Sequence, residues 1–263
     1  MNVITSRDND RVREYLALRD RKKERRAQNA YVCEGEKIFG EALREGAEIR
    51  RVFATEGCIA RRAEEFARAE AAGAEILRVS DSVLSLLSDV ETPQGVAFSV
   101  AIPRQEEPSE LADLLVCDEI RDPGNLGTMI RTADAFGAGG IYLCGDCADA
   151  FSPKVVRSCM GSIFRLPILS GTPEELAGLC ARKGLSLWAA KPRGDAVPLS
   201  AGLPARSAVV IGNEAHGVRP ETEAVCRGAL YVDMSGRAES LNAAVCASVV
   251  LWHMQSARPG KEG

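Results

Sequence analysis

The sequence predicts a two-part α/β protein, and three observations lead to that class. Short apolar runs alternate with segments of helical periodicity along the chain. In the second half those runs are continuous, as in parallel strands covered on both faces. Between the halves, residues 103–110 (PRQEEPSE) lose apolar periodicity and gather prolines and acids, a linker composition. The expected division is a first domain over 1–102, a linker over 103–110, a second domain over 111–258 and a tail over 259–263.

In the first half, residues 9–18 read as a helix, with Val12, Tyr15, Leu16 and Leu18 apolar. A strand at 31–33 precedes a helix over 35–45 that Gly46 ends. A strand at 51–54 leads to an alanine-rich helix over 59–72, ended by Gly73. Residues 76–79 form a strand, Asp81 is placed to cap a helix running to Leu87, and 96–100 form the last strand. This order implies a small α/β sandwich. The second half gives strands at 114–117, 140–143, 185–189, 208–211 and 230–232. Helices are expected at 126–136, 153–160, 173–183 and 240–255, the last with Leu241, Val245, Val249 and Trp252 as its core face.

The composition of the 263 residues, 46% hydrophobic and 27% charged, is that of a folded globular chain. Residues 1–10 carry no apolar signal-peptide region, and the most apolar segment, 241–254, is interrupted by Ser248 and His253 and too short to span a bilayer. A soluble cytoplasmic protein without a membrane partner is expected. The nine cysteines are odd in number and fit a reducing compartment. Cys117, Cys226 and Cys246 sit where small buried hydrophobes would serve. Cys144 and Cys147 form a CxxC, but a structural zinc site needs two further ligands, and neither a second CxxC nor an HxxxH occurs. No metal is expected.

A net charge of −4 argues against a nucleic-acid partner, yet the distribution is uneven. Residues 19–26 read RDRKKERR, six basic against two acidic. Arg19, Arg21, Lys22, Lys23, Arg25 and Arg26 are therefore candidate phosphate contacts, since exposed charges act over only about 8–10 Å. A solvated helix end is the alternative. Tyr15, Tyr31 and Phe39 can serve either as core or as stacking platforms for bases.

Ligands in open α/β sheets bind beyond the carboxyl ends of the strands. Three loops there are unusual. The first, DEIRDPGNLGTMIRTADAFGA, carries a Pro123–Gly124 turn, Asn125 as a possible cap, and Arg131 on the following helix. A guanidinium matches a phosphate or carboxylate; pairing with Asp134 is the structural alternative. The second, GNEAHGVRPE, brackets Asn213, Glu214 and His216 between Gly212 and Gly217. The third, MSGRAESLNAAV, offers Ser240 as a natural cap for the last helix and Asn242 in its first turn. No dinucleotide fingerprint, P-loop or nucleophile elbow is present.

Together these loops resemble the three motifs of the SpoU (TrmH) family of RNA 2′-O-ribose methyltransferases, in the SPOUT superfamily. The matching residues are Asp122-Pro123-Gly124-Asn125-Leu126-Gly127 through Arg131-Thr132-Ala133, then 211–217 (IGNEAHG), then Met234-Ser235-Gly236 through Ser240-Leu241-Asn242. Asp233 departs from the proline that many members carry before that methionine. Residues 6–35 and Thr92-Pro93-Gln94-Gly95 resemble, more loosely, the L30e-like substrate-binding domain of many members.

The resemblance implies a SPOUT domain whose C-terminal part is threaded as a deep trefoil knot, a rare exception to unknotted chains. It implies S-adenosylmethionine as cofactor, contacting Gly212, Val232 and Leu241, with Ile211 and Met234 beside them. It implies Arg131 as the central catalytic residue, with Asn125, Glu214, Ser240 and Asn242 around it. A homodimer and an RNA substrate follow, ribosomal RNA favoured over transfer RNA. The alternatives are a tRNA 2′-O-methyltransferase, a SPOUT enzyme acting on a base, or a non-catalytic RNA-binding or ribosome-assembly protein on the same fold.

Overall fold

A computed structural model describes residues 3–104, 106–237 and 240–256. It forms two compact units: Met1–Arg104 with Phe151–Phe164, and Gln105–Ala150 with Arg165–Gly263. The segment 151–164, which linear reading placed inside the second domain, groups with the first.

The first unit runs α1 (Asp10–Asp20), α2 (Lys22–Gln28), β1 (Ala30–Glu34), α3 (Glu36–Arg44), β2 (Ile49–Ala54), α4 (Glu56–Arg61), α5 (Ala63–Ala71), β3 (Glu75–Arg78), α6 (Asp81–Leu87) and β4 (Val96–Ala101). Its sheet has the order β1-β4-β2-β3, with only β2 and β3 parallel. Aromatic rings fill the core. Tyr15 meets Phe53 edge-on at 5.3 Å, and Phe39 lies 5.1 Å from Phe66 and 5.3 Å from Phe98. Tyr15, Tyr31 and Phe39 are thus buried and are not platforms for bases.

The second unit holds β5 (Asp113–Asp118), α7 (Pro123–Ala135), β6 (Ile141–Cys144), β7 (Ile168–Gly171), α9 (Pro173–Lys183), β8 (Ser186–Ala190), β9 (Val197–Pro198), β10 (Ser207–Ile211), α10 (Pro220–Glu223), β11 (Gly228–Tyr231) and α11 (Ala243–Ser256); α8 (Pro153–Ser158) lies between β6 and β7 in the chain. The seven strands are parallel, in the order β7-β6-β5-β10-β8-β11-β9. β5 and β10 are buried throughout, as continuous apolar runs require. β7 and β9 escaped sequence reading because Ser170 and Gly171 dilute the first and the second is only two residues long.

α8 packs on β1 in the first unit. Phe151 lies 5.0 Å from the Tyr31 ring, and Arg157 bonds Glu34 at 3.3 Å and Asp89 at 2.9 Å.

The basic run divides between two roles. α2 carries no apolar periodicity, so sequence reading missed it. Its anchor is Arg25, only 5% exposed, which donates Nη1 to the Leu18 and Arg19 carbonyls at 2.6 and 2.9 Å. Arg19 donates to the Leu86 carbonyl at 2.8 Å and pairs with Asp20. These two arginines close the end of α1 and leave the candidate phosphate set. Arg21, Lys22, Lys23 and Arg26 are exposed.

Three helix caps differ from expectation for one reason: the capping oxygen must reach an N–H two or three residues ahead. Ser80, not Asp81, caps α6 by accepting from the Val83 amide at 3.3 Å. Asp122, not Asn125, caps α7 by accepting from the Asn125 amide at 2.7 Å. Asn242, not Ser240, caps α11 by accepting from the Ala244 and Val245 amides at 2.9 and 3.3 Å.

The face of α11 also differs. Ala243, Ala244, Ala247, Val250, Leu251 and Met254 are buried, whereas Val245 is 49% and Trp252 57% exposed. The helix is apolar all round, so periodicity could not choose a side. Small alanines won, because they let α11 approach α7, where Ser248 donates to Thr132 at 3.5 Å.

Candidate active site at the strand ends of the second unit

The three motif loops meet at the carboxyl edge of the seven-stranded sheet. Beneath them, Asp118 at the end of β5 is fully buried. Arg219 donates Nε to its Oδ1 at 2.9 Å and its backbone amide to Oδ2 at 2.8 Å, and Thr222 adds a hydroxyl at 3.1 Å. An ionised carboxylate at such depth needs those donors. Asn213 donates to the Glu119 carbonyl at 2.9 Å and accepts the Ala215 amide at 2.8 Å. The loop after β10 is thereby fixed to the loop after β5, between the two strands where the sheet order changes direction.

Gly212 has a steric reason. A Cβ there would stand 2.2 Å from the Gly217 carbonyl carbon and the Val218 nitrogen, so no other residue fits that backbone crossing. Asn213 and Gly217 then exchange backbone hydrogen bonds at 3.0 and 2.8 Å, closing the loop on itself.

Because Asp122 takes the cap of α7, the Asn125 side chain is free to turn outward. Its Nδ2 donates to Glu214 Oε1, and its Oδ1 accepts from Asn242 Nδ2 at 3.1 Å. One chain of hydrogen bonds therefore links a residue from each loop, and it ends on a carboxylate. Arg131 is exposed and lies outside this chain. Its local partner is taken: Asp134 binds Arg165 at 2.7 Å, so among the described residues Arg131 has no ion pair. Ser240 makes no capping bond among the described residues; it lines the cavity described next.

That cavity, of about 720 Å³, opens beside Glu214. Ile211, Gly212, Val232, Met234 and Leu241, the five residues expected around a cofactor, all line it. Asn125, Asn242 and Arg131 do not; Asn125 and Asn242 reach the cavity through Glu214, whereas no hydrogen bond among the described residues joins Arg131 to it. Asp233 points away, accepting the Ser200 amide at 3.4 Å. Among the described residues no cluster of metal-binding side chains occurs and no helix is long and apolar enough to cross a membrane. The Cys147 thiol donates to the Cys117 and Cys144 carbonyls at 3.2 and 3.4 Å, and burial pushes it up to about 11.

Residues 113–252 match the model of the SpoU rRNA Methylase family, and residues 9–97 that of the MRM3-like substrate binding domain. The chain belongs to the SpoU rRNA methylase family. A relative in Bacillus subtilis, the 23S rRNA (guanosine(2553)-2′-O)-methyltransferase RlmP, is 31% identical and aligns over 97% of this chain and 100% of its own. A Streptomyces viridochromogenes relative named as a 23S rRNA (uridine(2479)-2′-O)-methyltransferase is 29% identical over 95% of this chain and 90% of its own. Among solved structures, an AdoMet-bound rRNA methyltransferase from Sinorhizobium meliloti superposes with a TM-score of 0.88 at 29% identity, covering 98% of this chain and 99% of that one.

Within this SpoU domain, sequence reasoning missed two groups. Asp118 and Arg219 lie 101 residues apart, and nothing local marks them as partners. Lys191 and Arg193, in the loop after β8, also line the cavity. That loop has no periodicity and no glycine pattern of a known motif; the signal that finds it is its place after a parallel strand.

Proposed function

We propose that this protein transfers a methyl group from S-adenosylmethionine to a ribose 2′-hydroxyl of ribosomal RNA. The observation that carries the reading is the hydrogen-bonded chain Asn242–Asn125–Glu214 at the rim of a cavity lined by Ile211, Gly212, Val232, Met234 and Leu241. The residues present fit the cofactor. The cavity volume lies in the range of about 300–1,000 Å³ that small-molecule sites occupy, and the backbone crossing at Gly212 leaves main chain, not side chain, against a base. When bound, the cofactor supplies an electrophilic sulfonium methyl.

The chain's own residues must orient the hydroxyl and assist loss of its proton. Positioning of that kind lowers a barrier by about 7–11 kcal/mol. Arg131, without an ion pair among the described residues, grips the RNA phosphate beside the target ribose and stabilises the developing alkoxide. A guanidinium stays protonated in proteins and is no general base, so its role is electrostatic. Asn125 and Asn242 hold Glu214, and Ser240 lies on the cavity wall beside it.

The first unit recruits the RNA, with Arg21, Lys22, Lys23 and Arg26 as its phosphate contacts. Two copies pair through the second unit, across the exposed apolar side of α11 that carries Val245 and Trp252. The C-terminal part of that unit is threaded as a knot, and the enzyme works in the cytoplasm.

The test is transfer of labelled methyl from S-adenosylmethionine to total RNA from cells lacking this protein, with mapping of ribose methylation. Label at one 2′-O position of ribosomal RNA is the expected result. Label on a base or in transfer RNA would overturn the substrate; absence of both label and cofactor binding would overturn the enzyme.

A further inference from the structure

The cofactor reading accounts for the apolar wall of the cavity but leaves its charged side unexplained. Two cations line that side, and they are not equivalent. Lys191 is neutralised, with Nζ 2.6 Å from Glu223 and 3.3 Å from Asp195. Arg193 has no acidic partner among the described residues. Its Nη2 donates to the Tyr231 hydroxyl at 3.1 Å, and its guanidinium carbon stands 4.9 Å from the centre of the Tyr231 ring.

This arrangement positions a charge without cancelling it. A guanidinium over an aromatic face is held by the ring quadrupole. The phenol takes one of its N–H donors, and among the described residues the rest of the fork stays open. Both partners stand on fixed backbone. Tyr231 ends β11, and the loop that carries Arg193 is tied to that strand by the Lys191 amide, which donates to the Leu230 carbonyl at 2.9 Å. A planar, uncommitted, pre-oriented guanidinium on a cavity wall matches a carboxylate in two-pronged fashion.

We propose that Arg193, braced on Tyr231, binds the α-carboxylate at the amino-acid end of the cofactor. This rests on the cofactor reading given above and deepens it. Arg193 is a binding residue toward one end of the ligand; Tyr231 is a positioning residue that acts through it. The assignment has a chemical logic. The cofactor's sulfonium is cationic and its carboxylate anionic, so an arginine on the cavity wall favours the carboxylate end of the ligand.

Binding by calorimetry tests this without any turnover. The probes are S-adenosylhomocysteine, which carries the carboxylate, and 5′-methylthioadenosine, which lacks the amino-acid end. Arg193→Ala is expected to weaken S-adenosylhomocysteine by about ten- to a hundredfold while leaving 5′-methylthioadenosine unchanged. Tyr231→Leu is expected to weaken S-adenosylhomocysteine less, and again selectively. Because Arg193 is exposed, the melting temperature of Arg193→Ala should match that of the parent, which separates ligand loss from unfolding. Equal losses for both probes, or none for either, would overturn the proposal. So would unchanged S-adenosylhomocysteine binding with weakened RNA binding, which would assign Arg193 to a phosphate. If the parent protein binds neither probe, the cofactor reading itself fails, and this assignment with it.

Discussion

Asn242 uses both ends of one amide: its Oδ1 caps α11, and its Nδ2 donates to Asn125 Oδ1 at 3.1 Å, 117 residues away in the chain. A residue that ends a loop and starts a helix thereby also sets the position of Asn125, and Asn125 sets Glu214.

Removing the middle of that chain should separate catalysis from stability. Asn125→Ala is expected to lower methyl transfer by about a hundredfold, as a misplaced reacting group does. Its melting temperature should stay close to the parent's, because Asp122 still caps α7. A variant that methylates at the parent rate would remove Asn125 from the site.

Gly212→Ala puts a methyl group 2.2 Å from backbone that cannot yield. Over-packing of this kind costs about 1–3 kcal/mol. The expected signature is a lowered melting temperature together with lost S-adenosylhomocysteine binding. Calorimetry showing parent affinity would mean the crossing is not part of the cofactor wall.

The basic run should split in two under mutation. Arg25→Ala leaves the Leu18 and Arg19 carbonyls without their donor and should destabilise the protein by about 1–3 kcal/mol, with little change in RNA affinity at saturating stability. Neutralising Arg21, Lys22, Lys23 and Arg26 together should do the reverse, weakening RNA binding and flattening its salt dependence. An unchanged salt slope in that quadruple variant returns the run to a solvated surface.

Cys147 should be nearly inert in the native protein. Its thiol is pushed up to about 11 by burial, so at pH 8 about one in a thousand is ionised. Cys144 is shifted the same way by the same cause. Iodoacetamide labelling should be slow at pH 8, gain about tenfold per pH unit up to pH 10, and become fast in denaturant. Rapid native labelling at pH 8 would reopen a redox role for the pair.

Trp252→Glu introduces a charge on the exposed apolar side of α11. Light scattering on the parent should give twice the chain mass of 28.2 kDa, and on the variant 28.2 kDa. A parent that is already monomeric would rule out pairing through this face.

Much of this site was legible in the sequence because its parts are local. β5 and β10 are unbroken apolar runs, and the polar motifs stand directly after them, where a parallel sheet must present its ligand. That placement pointed to the loops of Asn125 and Glu214, and the loop of Asn242 follows β11 in the same way; the roles of the three came from the resemblance to the SpoU motifs. Their division of labour could not be read in the same way. Whether Asp122 or Asn125 caps α7 depends on which oxygen reaches the amide, a matter of a single rotamer. The face of α11 was illegible for a different reason: every side is apolar, and only the closeness of approach allowed by Ala243, Ala244 and Ala247 selects one. The Asp118–Arg219 pair and the Arg193–Tyr231 brace join residues whose partnership exists only once the strands are in order.

The chain enters the first unit twice, at Met1–Arg104 and again at Phe151–Phe164, where Phe151 meets Tyr31 and Arg157 meets Glu34. The unit that matches the MRM3-like substrate binding domain is therefore not a bead that can be cut from a string. Recombination at position 104, in evolution or in a designed chimera, would import a β1 surface without the helix that covers it. A new first unit can be grafted onto this enzyme only as a matched set, with residues 151–164 travelling alongside it.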